Sequence, residues 1–299
     1  MNSRKQQEQI LIDEIIVDRE RAGLKRNITQ IGNTITFEFK KNLKNFILML
    51  IVFTSVFFLL LLISELQLAQ DVVLPSDPVF YIDDYTGQLF GFLIIISASL
   101  FGGSIIVEDF KKQTGNLLFP KISKTRLLIG RLTSRYTLNA ICISFYYVLI
   151  SILTFVKYNE IPLNLLASLG WALLYTFTIL TFVTFMSSIM RSTAATIIVS
   201  ILFLLIVFNI VTMILSFAGL TMEPLFLLTY YEGIITGSLS MPNPRYTEIQ
   251  MQRQGGEVVT FIQWLTPTEP AALIGMLIYI SIFLTLTYFL YKRRQSKNE

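Results

Sequence analysis

Six long apolar segments alternate with polar segments along the chain. Each is about 20 residues long or more, the length a helix needs to cross a hydrocarbon layer about 30 Å thick. The predicted spans are residues 45–64, 88–107, 136–156, 163–190, 194–217 and 271–291. The pattern therefore predicts an all-α integral membrane protein, with a six-span transmembrane domain over residues 45–291 and polar flanks at 1–44 and 292–299.

The N-terminal flank carries one apolar stripe. Ile31, Ile35, Phe39 and Leu43 recur every four residues, with lysines near the edge of the stripe. On a helix these residues share one face, which is typical of an amphipathic helix lying in the membrane interface ahead of the first span. A packed soluble helix is the alternative. The flank lacks the apolar region and small-residue cleavage site of a signal peptide.

Lysine and arginine are unevenly distributed between the two sides of the predicted membrane domain. Nine lie in residues 1–44, seven in 108–135, one is Arg191 and four lie in the tail, which makes 21 of the 24. Cytoplasmic segments carry such an excess of positive charge. Both termini are therefore predicted to be cytoplasmic in a multi-pass plasma-membrane protein, and the net charge of +4 is attributed to this orientation, not to nucleic-acid binding.

The composition excludes several kinds of chemistry. The chain is 53% hydrophobic and 15% charged, contains no histidine, and has a single cysteine, Cys142. Imidazole metal sites, Ser-His or Cys-His catalysis and an internal disulfide are therefore excluded. We expect no catalytic, cofactor or metal site in this chain.

The predicted spans also lack an internal energy source. None has an Asp, Glu, Lys or Arg in its apolar middle, whereas ion-coupled carriers place ionisable groups there. No Gly-x-x-x-x-Gly-Lys-Ser/Thr phosphate loop is present, so the chain is not expected to hydrolyse ATP. If energy drives this protein, it must enter through a contact on the cytoplasmic side.

The cytoplasmic segment between spans two and three combines basic and apolar residues. Leu117, Leu118 and Phe119 form an apolar run that stops at Pro120, because proline disfavours helical geometry in the preceding residue. A new helix is predicted to begin after Ser123 and to run into the third span. Exposed apolar residues on a tight loop suit a docking surface. Alternatively, the positive charges only fix topology and contact lipid headgroups.

This segment resembles the loop between spans two and three of the type-2 ATP-binding-cassette (ABC) permease family. The matching residues are Glu108, Thr114-Gly115, Leu117-Leu118, Pro120, Ser123, Arg126 and Gly130-Arg131. Residues 37–44 resemble the basic interfacial helix of the family, and residues 186–195 resemble its short turn between spans four and five. Asn116 departs from the pattern, because many members have an acidic residue there.

The resemblance implies a membrane-spanning permease subunit of an ATP-driven transporter of the exporter type. An identical or different second subunit would pair with it, and a separate ABC ATPase carrying ATP and Mg would dock on each loop. The expected docking residues are Glu108, Lys111, Lys112, Thr114, Gly115, Leu117, Leu118, Phe119 and Pro120. Glu108 is expected to anchor the loop near the basic N-terminal helix, and residues 224–235 are expected to form short helices at the outer face.

Two other functions fit the same pattern of spans. The chain could be an ATP-independent channel or carrier, although the lack of charge within the spans counts against a carrier. It could also be a membrane scaffold or sensor subunit that shares the permease architecture and transports nothing. The lipid bilayer is a partner in each case, and nucleic acid in none.

Overall fold

The computed structural model describes residues 2–70, 75–111, 124–217, 222–252 and 258–296. The described chain is mostly helical, and six of its helical stretches are long and apolar enough to cross a membrane. These stretches are residues 28–68, 78–109, 125–158, 164–189, 193–215 and 269–293. The predicted number of six spans is thus confirmed by length and composition, and the chain has the helical make-up of a multi-pass membrane protein.

The first helix, α1, runs without interruption over Asn2–Leu68. A boundary between an interfacial helix and a span was predicted at residue 45, but the backbone shows none. The physical reason is local, because no glycine or proline lies between Gly32 and Leu68 to end the helix. The interfacial position of the stripe stays a prediction.

Three helices form the next part of the chain: α2 (Pro78–Thr86), α3 (Gln88–Gly102) and α4 (Val107–Lys111). The sequence assigned the residues of α2 to a loop. Asp77 begins this helix, because its side chain accepts a hydrogen bond of 2.9 Å from the Val79 amide, and proline is well suited to the first helical position.

The next helix, α5 (Lys124–Tyr158), contains the third predicted span and extends it on its N-terminal side. Ser123 lies outside the described residues, so a helix start there stays a prediction. It is followed by α6 (Asn164–Ile189) and by a long helical run over residues 193–217. That run consists of α7 (Thr193–Leu202), a π turn (Phe203–Val207) and α8 (Phe208–Phe217).

The segment before the last helix contains more than the short helices that the resemblance implied. A 3-10 turn (Leu228–Glu232) and α9 (Gly233–Gly237) are those helices. An antiparallel hairpin of β1 (Tyr246–Gln252) and β2 (Val258–Trp264) follows, which the sequence did not predict. The last helix, α10, covers Glu269–Ser296. The described chain is therefore mostly helical, as predicted, with one hairpin outside the spans.

The helices form a bundle with α3 at its centre. Most side chains of α3 are buried, whereas α1, the α7–α8 run and α10 expose many large apolar side chains, as helices facing lipid do. We call the end with α4, the start of α5 and the end of α10 the basic end. At the opposite end Lys157 of α5 forms an ion pair of 2.5 Å with Glu65 of α1.

Candidate functional site: a buried charge network at the basic end

Helix α1 presents a row of polar side chains to α5. Thr34, Glu38 and Asn42 recur every four residues and are all buried. The Asn42 side chain donates to the Glu38 backbone carbonyl at 2.8 Å and to its carboxylate at 3.2 Å. A Cβ atom at Gly130 of α5 would lie 2.8 Å from the Thr34 side chain. Gly130 therefore lets the two helices approach closely enough to bury this polar row.

The apolar stripe predicted on α1 is not the packed face of the helix. Ile31, Ile35 and Phe39 are only half-buried, and Leu43 is exposed. The stripe lies beside the polar row that contacts α5. Its half-exposed surface is available to lipid or to a partner.

Arg135 of α5 is fully buried and connects three parts of the bundle. One guanidinium nitrogen donates to the Phe101 carbonyl at 2.9 Å and to the Ser104 hydroxyl, both near the end of α3. The other forms an ion pair of 3.0 Å with the Glu38 carboxylate. A single side chain therefore joins α1, α3 and α5.

Arg131 lies one turn before Arg135 and connects the same carboxylate to α4. Its guanidinium donates to the Asp109 carboxylate and to the Ile105 carbonyl, each at 2.8 Å, and lies 3.2 Å from the Glu38 carboxylate. The Tyr291 hydroxyl donates to the same Asp109 oxygen at 2.8 Å. Helix α10 is thereby joined to the network.

Glu108 pairs with Lys41 of α1, so the anchoring of Glu108 near the basic N-terminal helix is present in the structure. Lys41 also lies 3.8 Å from the Glu38 carboxylate. The Arg135 guanidinium lies 4.0 Å from Glu108. The pair is half-buried and marks the solvent-facing side of the network.

Six charged side chains thus form one connected cluster, which we call the charge network. Its members are Glu38, Lys41, Glu108, Asp109, Arg131 and Arg135. Three are acidic and three are basic, so the formal charges cancel. Balance is required here, because an unpaired charge inside a protein costs several kcal/mol.

The turn between α3 and α4 is held from the other side by α6. The Ser187 hydroxyl accepts hydrogen bonds from the amides of Ile106 and Val107 at 3.1 and 3.3 Å, and donates to the Gly103 carbonyl at 3.2 Å. These backbone groups fall at a break between two helices and would otherwise be unpaired. The start of α4 is therefore fixed to α6 as well as to α5.

The charge network does not use all of its hydrogen-bonding capacity. Within the described ranges, one oxygen of Asp109, the Nε of Arg135 and both polar atoms of the Asn139 side chain are buried without a hydrogen-bond partner. Asn139 is fully buried one turn beyond Arg135 on α5. Unfilled capacity of this kind is costly, because a buried polar atom without a hydrogen bond has lost its contact with water.

Most of the predicted docking residues lie outside the described residues. These are Lys112, Thr114, Gly115, Leu117, Leu118, Phe119 and Pro120. Glu108 lies in α4 within the charge network, and Lys111 is the last residue of α4. Their docking role stays a prediction.

The helix ends on either side of residues 112–123, which we call the stems, are both anchored. The stem before it is held through Glu108 and Asp109. The stem after it is held through Arg135 and through Arg126, whose guanidinium donates to the Gln30 side chain of α1 at 2.8 Å. Residues 112–123 therefore connect two stems that are both fixed to α1.

Sequence reasoning did not single out Glu38, Asp109, Arg135 or Tyr291 as site residues. Two local signals pointed toward the network: an acidic residue inside the basic run of α1, and two arginines one helical turn apart after the loop. In the part of the chain that the structure describes, no group of three or more His, Cys, Asp or Glu side chains is placed to hold a metal ion.

Comparison with known proteins identifies one family. No curated protein matches the chain. The sequence model of a family described as a protein of unknown function (DUF2705) matches residues 76–295. The match extends from α2 into α10, and so includes four members of the charge network together with Tyr291. Because it covers more than half of the sequence, the chain belongs to the DUF2705 family.

Proposed function

We propose that this chain is the membrane-spanning subunit of an ATP-driven exporter whose ATPase is a separate polypeptide. The ATPase docks on the segment between α4 and α5, and a second membrane subunit, identical or different, completes the transporter. ATP and Mg are held by the ATPase. The basic end and both termini face the cytoplasm of a plasma membrane.

The observation that carries this proposal is the anchoring of the segment at both stems. A force applied to residues 112–123 acts on α4 and α5, and these helices are tied by charged side chains to α1 and α10. A loop that only contacted lipid headgroups would need no such attachment. The arrangement suits a loop through which an external subunit moves four helices together.

The charge network also suits an element with two arrangements. Its contacts are directional, short and mostly buried, so they either hold or break as a unit. Coupling between separate sites requires an element of this kind whose equilibrium both sites bias. Binding of ATP by the docked subunits would shift the stems, and the network would carry this shift into the spans.

The apolar run of the segment provides the test of docking. Replacement of Leu117, Leu118 and Phe119 together by aspartate is expected to abolish association with the ATPase. Docking of the ATPase buries these side chains in a contact that excludes water. Aspartates there would be buried unpaired charges, which are strongly unfavourable. Ile189, an exposed apolar residue at the basic end but outside the segment, provides the matched control as Ile189→Asp.

The measurement is co-purification of an ATP-hydrolysing subunit with each variant from membranes in mild detergent. The triple variant should insert normally and lose the ATPase, whereas Ile189→Asp should retain it. Retention of the ATPase by the triple variant would show that the docking surface lies elsewhere. Transport by the purified chain alone would favour a channel or carrier. An ATPase that associates with the chain, but whose activity no translocated compound stimulates, would favour a scaffold or sensor.

A further inference from the structure

The residues Leu228–Gly237, which we call the plug, fold into the opposite end of the bundle. Leu228, Tyr231, Ile234 and Ile235 are almost completely buried, although they belong to a segment between two spans. The plug packs against α6 and α10 and also contacts α2. It therefore packs among the helices at this end of the bundle.

Side chains of α6 bind the backbone of the plug and of the residues directly after it. The Ser168 hydroxyl donates to the Ile235 carbonyl at 2.8 Å, and the Asn164 side chain donates to the Leu239 carbonyl at 3.0 Å. These bonds satisfy carbonyls at the end of a short helix, which has few internal partners. They also fix how deeply the plug enters the bundle.

Glu232 brings an ionisable group among the spans. A Cβ atom added at Gly91 of α3 would overlap its carboxyl group, so the carboxyl lies directly on the backbone of the central helix. The Tyr175 hydroxyl, fully buried in α6, faces the same carboxyl group. The apolar middles of the predicted spans lack such a group, and this carboxyl enters from the segment between two spans.

This carboxyl group has no cationic partner among the described residues. At the opposite end, Lys157 pairs with Glu65 at 2.5 Å, and Arg245 pairs with Glu223 at 2.8 Å. Lys157, Arg245 and Arg253 are the three basic residues outside the predicted cytoplasmic segments, and Arg253 lies outside the described residues. Glu232 is half-buried. A carboxylate that is partly removed from water and lacks a cation is disfavoured, and it takes up a proton more readily than one in water.

The other titratable groups around the carboxyl do not supply the missing charge. Tyr175 on α6 and Tyr279 on α10 are phenols, which are neutral near pH 7. Asp83 and Asp84 on α2 are exposed and carry the same charge sign. Burial raises the pKa of Glu232 to about 7, and the facing Tyr175 hydroxyl opposes part of this rise.

We propose that the Glu232 carboxyl is a proton-binding site that controls the seating of the plug. In the protonated state the neutral carboxyl rests on Gly91 and beside Tyr175, and the plug closes the bundle. In the ionised state the carboxylate is more stable in water, and the plug moves out with it. The inference concerns the isolated chain and does not depend on an ATPase.

The direction of the pH dependence follows from proton linkage. The seated carboxyl binds its proton more tightly than a carboxyl in water, whose pKa is near 4.5. Rising pH therefore favours release between these two pKa values and has little further effect above the higher one. From about pH 6 to about pH 8 the ratio of released to seated plug should rise about tenfold, and then level off.

Thiol labelling measures this ratio. In a Cys142→Ser background, Ile235→Cys places a reporter on the buried face of the plug, and Ser240→Cys places a reference on an exposed neighbour. Each variant is held in lipid nanodiscs and treated with a maleimide over a range of pH. The labelling rate at residue 235 is divided by the labelling rate at residue 240. This ratio corrects for the increase in thiol reactivity with pH. This normalised rate should rise about tenfold, and in Glu232→Gln it should stay low at every pH.

Three further measurements decide between proton binding and a structural effect. Tyr175→Phe removes a group that favours the ionised form, so release should level off at a higher pH than in the parent. Glu65→Gln, a matched acid at the same end but paired with Lys157, should leave the profile unchanged. A flat profile in the parent, or an unchanged rise in Glu232→Gln, would overturn the proposal. A rate that follows sodium concentration at fixed pH would also overturn it, since it would assign the carboxyl to a metal cation.

Discussion

The ion pair between Glu38 and Arg135 should contribute far more to stability than the pair between Lys157 and Glu65. The side chains of the first pair are 2% and 1% exposed, whereas those of the second are 24% and 46% exposed for Lys157 and Glu65. Both pairs join a residue of α1 to one of α5. They therefore offer a matched comparison within one helix pair.

The expected magnitudes follow from distance and environment. At 3.0 Å and an effective dielectric constant of about 20, two unit charges attract by about 5.5 kcal/mol. Removal of one partner of a buried pair costs about 3–5 kcal/mol, because the other charge is left without compensation. An exposed pair contributes about 1 kcal/mol or less, because water screens the charges.

Double-mutant cycles measure each coupling directly. Glu38→Ala, Arg135→Ala and their combination form one cycle, and Glu65→Ala, Lys157→Ala and their combination form the other. Reversible unfolding in mixed micelles, at low and at high salt, gives the free energy of each variant. The buried coupling should be about 3 kcal/mol or more and insensitive to salt, and the exposed one below about 1 kcal/mol and weakened by salt. Equal couplings would refute the description of the charge network as a buried cluster.

Three further predictions concern packing and orientation. Gly130→Val should separate α1 from α5 and lower the midpoint of thermal unfolding, and Thr34→Gly should partly restore it; no restoration would exclude this contact as the cause. Ser187→Ala leaves two buried backbone amides without an acceptor, so it should cost about 1–3 kcal/mol in the free energy of unfolding, and an unchanged value would show that another group replaces the hydroxyl. In a chain without its native cysteine, an impermeant thiol reagent added outside intact cells should label Ser240→Cys and spare Leu118→Cys; the reverse pattern would invert the proposed orientation.

The spans could be predicted from the sequence because the thickness of the hydrocarbon layer fixes their length. The described spans in α6 and in the α7–α8 run begin and end within a few residues of the predicted bounds. The helix α2 was missed because its nine residues include two aspartates, Asp83 and Asp84, which resemble a polar loop. The hairpin was missed because its strands have only seven residues each and lie between spans, where the search for span-length apolar segments does not register them.

The charge network could not be predicted, because its partners are far apart along the chain. Glu38 and Arg135 are separated by 97 residues, and Asp109 and Tyr291 by 182. Hydropathy assigned each of these residues to a flank, a loop or a helix end, where charge is unremarkable. Only the packing of α1 against α5, permitted by Gly130, shows that the residues are buried together.

The position of Glu232 was hidden for a similar reason. Its neighbours in sequence place it between two spans, which predicts an exposed acid. Packing of the plug against α6 instead places the carboxyl beside Tyr175. An ionisable group can therefore lie beside the spans even though their apolar middles carry no charge.

Cross-linking from the segment between α4 and α5 tests the central claim most directly. With Cys142 replaced by serine, Leu118→Cys carries a short photoactivated cross-linker in native membranes, and Ile189→Cys serves as the control position. The proposed function predicts that Leu118→Cys captures a protein with a Gly-x-x-x-x-Gly-Lys-Ser/Thr loop, and that the captured complex hydrolyses ATP until the lysine of that loop is replaced. Capture of no ATPase at residue 118, with export intact, would contradict it.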